Sequence, residues 1–198
     1  MRVKTDARRT AIAKAAWEVF QGKGFDGATM SEISERVGGS KATIYGYFGS
    51  KEELFAASLE EAVRASSEES FEYVRRPGDL KQRLIGFARP YMKVRLGDDL
   101  IAVERALIAD AGRSRLGEVL RAKFIVPNWQ RQGAVMAQEM AAGTLRKSDP
   151  YRAAVHFRAL IEADLTERRL QGEPQIAEAE IESAVSDGVD AFLRAYAI

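Results

Sequence analysis

The stretch Ala28-Thr-Met-Ser-Glu-Ile-Ser-Glu-Arg-Val-Gly-Gly-Ser-Lys-Ala-Thr-Ile-Tyr-Gly-Tyr-Phe-Gly-Ser-Lys51 holds two short helical patterns separated by a pair of glycines. Thr29 stands three residues before Glu32, the spacing of a capping box, in which hydroxyl and carboxylate each satisfy a free backbone N–H. Ile33 and Val37 follow on one face, Gly38-Gly39 make a turn, and Ser40 caps a second helix that turns Ile44 and Phe48 inward at i, i+4. The opposite face of that helix offers Lys41, Thr43, Gly46 and Tyr47, with Tyr45 at its flank. A cation, hydroxyls and aromatic rings suit phosphates and base edges, so the segment predicts a helix-turn-helix that enters the major groove of DNA. Gly46 has two readings: close backbone approach to the duplex, or a helix that is already ending, since glycine inside a helix costs about 1 kcal/mol relative to alanine.

Outward from this segment the pattern is helical throughout. Ile12, Ala15, Ala16, Val19 and Phe20 form the apolar stripe of a first helix that is expected to stop at Gly22 and Gly24. Ser50 and Glu53 start a fourth helix that runs to about Arg75, where Pro77-Gly78 breaks it. Further helices are expected at about 79–96, 98–110, 114–142, 149–171 and 176–196, the fourth of these opened by Asp149-Pro150 and closed by Gly172-Glu-Pro174. Pro90 and Pro127 fall inside helical patterns and should kink or split them. The expected architecture is all-α with about nine helices: an N-terminal three-helix helix-turn-helix head, residues 1–50, on a larger helical body, residues 51–198.

Charge is unevenly spread. Residues 1–51 carry nine Lys/Arg against five Asp/Glu, while the remainder carries 21 against 24, although the whole chain is only +1. A basic head on a near-neutral body fits a nucleic-acid partner. No cysteine is present, which excludes disulfides and thiolate metal or redox sites. No apolar run approaches the roughly 18 residues that span a bilayer, and Met1-Arg-Val-Lys-Thr-Asp leads into an amphipathic helix, so a cytoplasmic protein without membrane association is expected.

The residues Phe25-Asp-Gly-Ala-Thr29, Ile33, Gly38, Ser40-Lys-Ala-Thr-Ile-Tyr45, Tyr47-Phe48 and Ser50-Lys-Glu-Glu-Leu-Phe55 resemble the signature of the TetR family of repressors, over about residues 10–58. The resemblance implies that Thr29, Thr43, Tyr47 and Lys51 touch phosphates, that Lys41, Ala42 and Tyr45 approach base edges, and that Ser31 adds a base contact. Gly39 departs from the family pattern, in which a buried apolar residue anchors the turn. For Arg2, Lys4, Arg8 and Arg9 two readings stand: a mobile arm along a minor groove or phosphate strand, or solvated terminal charges.

The body is the less informative part. Ile108-Ala-Asp-Ala-Gly-Arg-Ser-Arg-Leu-Gly-Glu-Val-Leu120 resembles the C-terminal domain common in proteobacterial members of the family. That resemblance implies a cavity for a small-molecule effector, with Phe87, Tyr91, Met92, Leu107, Phe124, Trp129, Met136, His156 and Phe157 as candidate lining; ordinary core packing is the competing reading for each. It also implies a homodimer through a four-helix bundle, with Leu160, Ile161, Leu165, Ile181, Val185, Gly188, Val189 and Phe192 as candidate interface. The same stripes could instead close the core of one chain. The function so implied is a DNA-binding transcriptional regulator, a repressor released from a pseudo-palindromic operator when an effector binds; a DNA-binding protein without small-molecule gating is the alternative. An enzyme finds little support, because the chain lacks a Gly-rich phosphate loop and a Cys nucleophile, and its single histidine, His156, has no Ser or Asp at a recognised spacing. Neither a metal nor a cofactor is expected, since ligand-type residues do not recur at ligand spacing.

Overall fold

The computed structural model describes residues 5–198, so Arg2 and Lys4 of the expected basic arm lie outside the described residues. Helices α1 (Asp6–Gly27), α2 (Met30–Val37), α3 (Lys41–Tyr47), α4 (Lys51–Arg75), α5 (Leu80–Arg95), α6 (Asp98–Asp110), α7 (Leu116–Leu120), α8 (Val126–Ala141), α9 (Pro150–Glu162), α10 (Leu165–Gln171) and α11 (Glu178–Tyr196) follow one another. Among the described residues no strand forms; a single antiparallel bridge joins Leu145 to Ala197. The chain is all-α, as its periodicity predicts.

Differences from the expected nine helices have local causes. The helix expected at 114–142 is α7 and α8 joined by a π-helical turn, Arg121–Ile125. Pro127 lacks an N–H and cannot bond the carbonyl four residues back, and widening the turn just before it is one way a helix absorbs that defect. At Pro90, in contrast, α5 is not split. One lost bond there is set against the burial of Leu84, Phe87, Ala88 and Met92 along the same helix. The helix expected at 149–171 is broken at Ala163 into α9 and α10. Finally, α1 passes Gly22 and is interrupted only at Gly24, whose φ of 71° is left-handed, before a last turn to Gly27.

The described residues form two compact units, one of residues up to Ala65 with Arg105–Val126, the other of Ser66–Glu104 with Pro127–Ile198. In the first, Ile12, Ala16 and Phe20 of α1 are buried with Ile33 of α2, Ile44 of α3 and Leu54, Phe55 and Leu59 of α4. Phe55 is the hinge of an aromatic cluster, edge-on to Phe20 at 4.9 Å and to Phe25 at 5.3 Å. The second unit has its own core, in which Phe71, Phe87, Phe157 and Phe192 meet in sequence, edge-on or tilted, through ring contacts of 5.2–6.0 Å. There α9 and α11 pack most closely: a Cβ on Gly188 would lie 2.5 Å from the Leu160 carbonyl oxygen, so only glycine admits the approach.

Candidate nucleic-acid interface

Both helices of the segment 28–51 are capped as their sequence predicts. The Thr29 hydroxyl accepts from the Glu32 N–H at 3.3 Å while the Glu32 carboxylate accepts from the Thr29 N–H at 3.1 Å. Hydrogen bonds from Lys23, then from Thr29, hold the Glu32 carboxyl below its usual range. The ion pairs Lys23–Glu32 and Arg36–Glu18 tie α2 to α1. At the head of α3 the Ser40 hydroxyl accepts from the Thr43 N–H at 3.1 Å and meets the Thr43 hydroxyl at 2.9 Å. The start of α4 is capped in a shifted box: Ser50 accepts from the Glu53 N–H, and Glu53 reaches back to the Gly49 N–H.

With Ile44 and Phe48 buried, the outer face of α3 stands open. Ser40, Lys41, Ala42, Thr43, Tyr45 and Gly46 are exposed, Tyr45 by 49%, and Tyr47 is half-buried. Thr29 is exposed and Ser31 half-buried on α2. Lys51 is half-buried; its ammonium sits 4.5 Å from the centre of the Phe25 ring and donates to the Asp26 carbonyl at 3.4 Å, which fixes one cation beside the end of α3. Gly46 is the next-to-last residue of α3, which agrees with the reading that the helix is ending there. Arg8 and Arg9 lie in the first turn of α1, and both make contacts within the chain. An Arg8 guanidinium nitrogen donates to the Val37 carbonyl at 3.3 Å, and the Arg9 guanidinium lies 4.9 Å from the centre of the Phe48 ring.

Five of the nine candidate effector residues, Phe87, Tyr91, Met92, Met136 and Phe157, belong to or pack against one core in the second unit. Phe87, Met136 and Phe157 meet, with Val74, Leu84, Gln132 and Val135, at a void of about 10 Å³. Met92 is buried in the same core. Tyr91 donates to Glu162 at 2.5 Å, and burial together with that carboxylate pushes its phenol well above its ordinary value. Half-buried Trp129 packs near Tyr151 under the Arg158 guanidinium. His156 is exposed, with Nδ1 2.6 Å from the Tyr196 hydroxyl. Leu107 and Phe124 belong to the first unit.

Glu162, which the sequence offers only as a carboxylate without an acidic partner on its own helix face, is buried and also accepts from Arg95, from Arg158 at 3.0 Å and from Thr166 at 2.9 Å. Its signal is an acid four residues after an arginine. Of the candidate interface residues, Ile161, Leu165, Val185, Gly188, Val189 and Phe192 are buried within one chain; Ile181 is half-buried and Leu160 is 37% exposed. Among the described residues, no group of three or more His, Asp and Glu is placed to hold a metal ion, and no helix is long and apolar enough to cross a membrane.

Comparison with known proteins covers both parts of the chain. Residues 12–58 match the family model of bacterial regulatory proteins of the tetR family, and residues 82–198 match that of the AefR-like transcriptional repressor C-terminal domain. The HTH-type transcriptional activator FasR of Mycolicibacterium smegmatis is 39% identical over 83 residues, which span 42% of this chain and 38% of that protein. A TetR-family regulator from Mesorhizobium loti has the same fold, with a TM-score of 0.79, 24% identity and full coverage of both chains. The flavonoid-responsive regulator FrrA aligns over 98% of each chain with a TM-score of 0.70 and 28% identity. A capped helix-turn-helix with an open polar face, continued by a matching C-terminal domain, makes this chain a member of the TetR family of DNA-binding transcriptional regulators.

Proposed function

We propose that the chain is a cytoplasmic, homodimeric repressor that binds a pseudo-palindromic operator through α3 and is released when a small molecule occupies its C-terminal part. In functional terms residues 1–50 are then the reading head and residues 51–198 the effector-binding and dimerising body; no reaction is catalysed. The observation that carries this reading is the outer face of α3, exposed, rich in donors and fixed at its N-terminus by the Ser40 cap. Thr29, Thr43, Tyr47 and Lys51 serve as phosphate contacts, and Ser31, Lys41, Ala42 and Tyr45 face base edges. Two such heads read half-sites about 34 Å or a multiple of that apart. Repression is supported by the match to an AefR-like repressor domain, and response to a ligand by the likeness to FrrA. A coupling of about 1–3 kcal/mol between effector and DNA would change operator affinity roughly 5- to 150-fold.

One observation favours the ungated alternative. The void at Phe87 and Phe157 has about 10 Å³, room for roughly one water, whereas small-molecule sites are typically about 300–1,000 Å³. Gating through this core requires it to open on binding.

Two measurements test the proposal. A duplex enriched by the wild-type protein from a random-sequence pool should lose affinity for Tyr45→Ala by about 1–3 kcal/mol, with relaxed sequence preference. Lys51→Ala should weaken all duplexes alike and flatten the salt dependence by about one unit. Unchanged binding by both variants would remove α3 from the interface. A flavonoid panel titrated into the protein–duplex complex tests the gating: release supports it, and a panel that neither releases DNA nor raises the melting temperature favours the ungated reading.

A further inference from the structure

The turn between α2 and α3 closes with Gly38 left-handed, φ 67°, and with the Gly39 N–H bonded to the Ser34 carbonyl at 3.0 Å. Turns of this kind are usually completed by an apolar contact from the residue after the left-handed one. Here that residue is Gly39, which has no side chain to offer. A Cβ placed on Gly39 would lie 3.6 Å from a guanidinium nitrogen of Arg8, so the arginine occupies the space beside the missing side chain. The same nitrogen donates to the Val37 carbonyl, one of the groups that the end of α2 leaves without a helical donor and at the negative end of its dipole. The next residue, Arg9, holds its guanidinium over the ring of Phe48, the buried residue that ends α3. Consecutive arginines of α1 thus brace the turn that enters the recognition helix and the residue that closes it.

We propose that Arg8 and Arg9 are positioning residues for α3: Arg8 stands in for the side chain absent at position 39, and Arg9 seats the far end of the helix. Neither is then a phosphate contact or a member of a mobile arm. The proposal rests on the reading of α3 as the element that meets base edges. A seven-residue helix is held by few contacts, and Ile44, its caps, its packing on α2 and these two arginines are among them. Losing one brace lets the base-facing side chains drift, while the set of cations that touch the duplex backbone is unchanged because neither arginine belongs to it. Sequence discrimination should therefore fall, and non-specific affinity should not.

The test compares two duplexes of equal length, one enriched by the wild-type protein from a random-sequence pool and one unselected. Arg8→Ala should bind the enriched duplex about tenfold more weakly, within the loss expected for one misread base pair, with its affinity for the unselected duplex within about twofold and the slope of log K against log salt unchanged. Arg9→Ala should behave in the same way. The double variant Arg8→Ala/Gly39→Val, which supplies the apolar turn contact from the turn itself, should recover most of the lost discrimination, a non-additivity expected of groups sharing one contact. A slope flattened by about one unit with both duplexes weakened equally would make the arginines phosphate contacts and overturn the proposal. So would undiminished discrimination in both single variants, or a double variant no better than Arg8→Ala. A wild-type protein that enriches no sequence would overturn the assignment of α3 itself, and this proposal with it.

Discussion

At the scale of single residues, Ala163 is the one non-glycine among the described residues with a positive φ, at φ 46° and ψ −127°. An alanine there carries a steric cost of about 1–3 kcal/mol that glycine does not. It follows directly on Glu162, whose carboxylate receives hydrogen bonds from Tyr91, Arg95, Arg158 and Thr166. A buried carboxylate at the negative end of α9 is unfavourable on its own. Two arginines and two hydroxyls supply the compensation, and holding Glu162 among them fixes where α9 stops. Ala163→Gly is expected to stabilise the fold by about 1 kcal/mol, part of the relieved strain being offset by the greater freedom of glycine in the unfolded chain. Urea denaturation reads this as a raised midpoint with an unchanged slope; a lowered midpoint would show that the strain at Ala163 is smaller than the entropic cost of glycine in the unfolded chain. Neither glycine nor proline marks this break; the only local sign is Asp164, an N-cap residue type at the head of α10 whose side chain makes no cap hydrogen bond.

At the scale of elements, an ion pair inside the second unit adds to the apolar contacts between α5 and α8. Arg83 donates to both Glu139 oxygens, at 2.8 and 3.0 Å, and the Thr144 hydroxyl donates to one of them at 2.7 Å. Burial opposes ionisation of Glu139, but the hydrogen bonds from Arg83 and Thr144 outweigh it and keep the carboxyl below its usual value near 4.5. Because the folded state binds this proton less readily than the unfolded chain, the contribution is fully present above the unfolded value and is lost as pH falls through the lower folded one. Chemical denaturation should show stability declining as pH drops below about 4.5, and Glu139→Gln should make that decline shallower. At pH 7 the same variant should lose about 1–2 kcal/mol, since half-buried Arg83 would exchange a charged acceptor for a neutral amide; an unchanged pH profile would place the acid sensitivity in other carboxylates. The caps at Thr29, Ser40 and Asp149 were legible because capping is local chemistry at fixed spacing. The π-helical turn before Pro127 and the uninterrupted helix around Pro90 were not, because the same residue gives opposite results according to the packing around it.

At the scale of the whole molecule, the outward face of α3 could be read from sequence because exposure there is the complement of a two-residue buried pattern, Ile44 and Phe48. The body resisted such reading because an apolar stripe does not say which neighbour covers it. Gly188 shows the difficulty: a small residue on α11 fits a close contact between two chains or within one, and here the contact is with Leu160 and Ile161 of the same chain. The proposed dimer must accordingly use what the intrachain packing leaves outside. Leu160 is among the large apolar side chains that remain exposed, and it lies on the helix that the four-helix arrangement requires. Leu160→Glu is expected to leave the melting temperature of the chain almost unchanged apart from the share contributed by association, because a surface substitution away from buried features shifts stability by about 0.5 kcal/mol or less. Its mass by light scattering should fall from that of a dimer to that of a monomer at micromolar concentration, since a charge placed without a partner in an apolar interface is strongly unfavourable. Gly188→Ala should do the reverse, destabilising the second unit through its clash with the Leu160 carbonyl whatever the state of association. A Leu160→Glu protein that remains dimeric would move the interface off this face of α9.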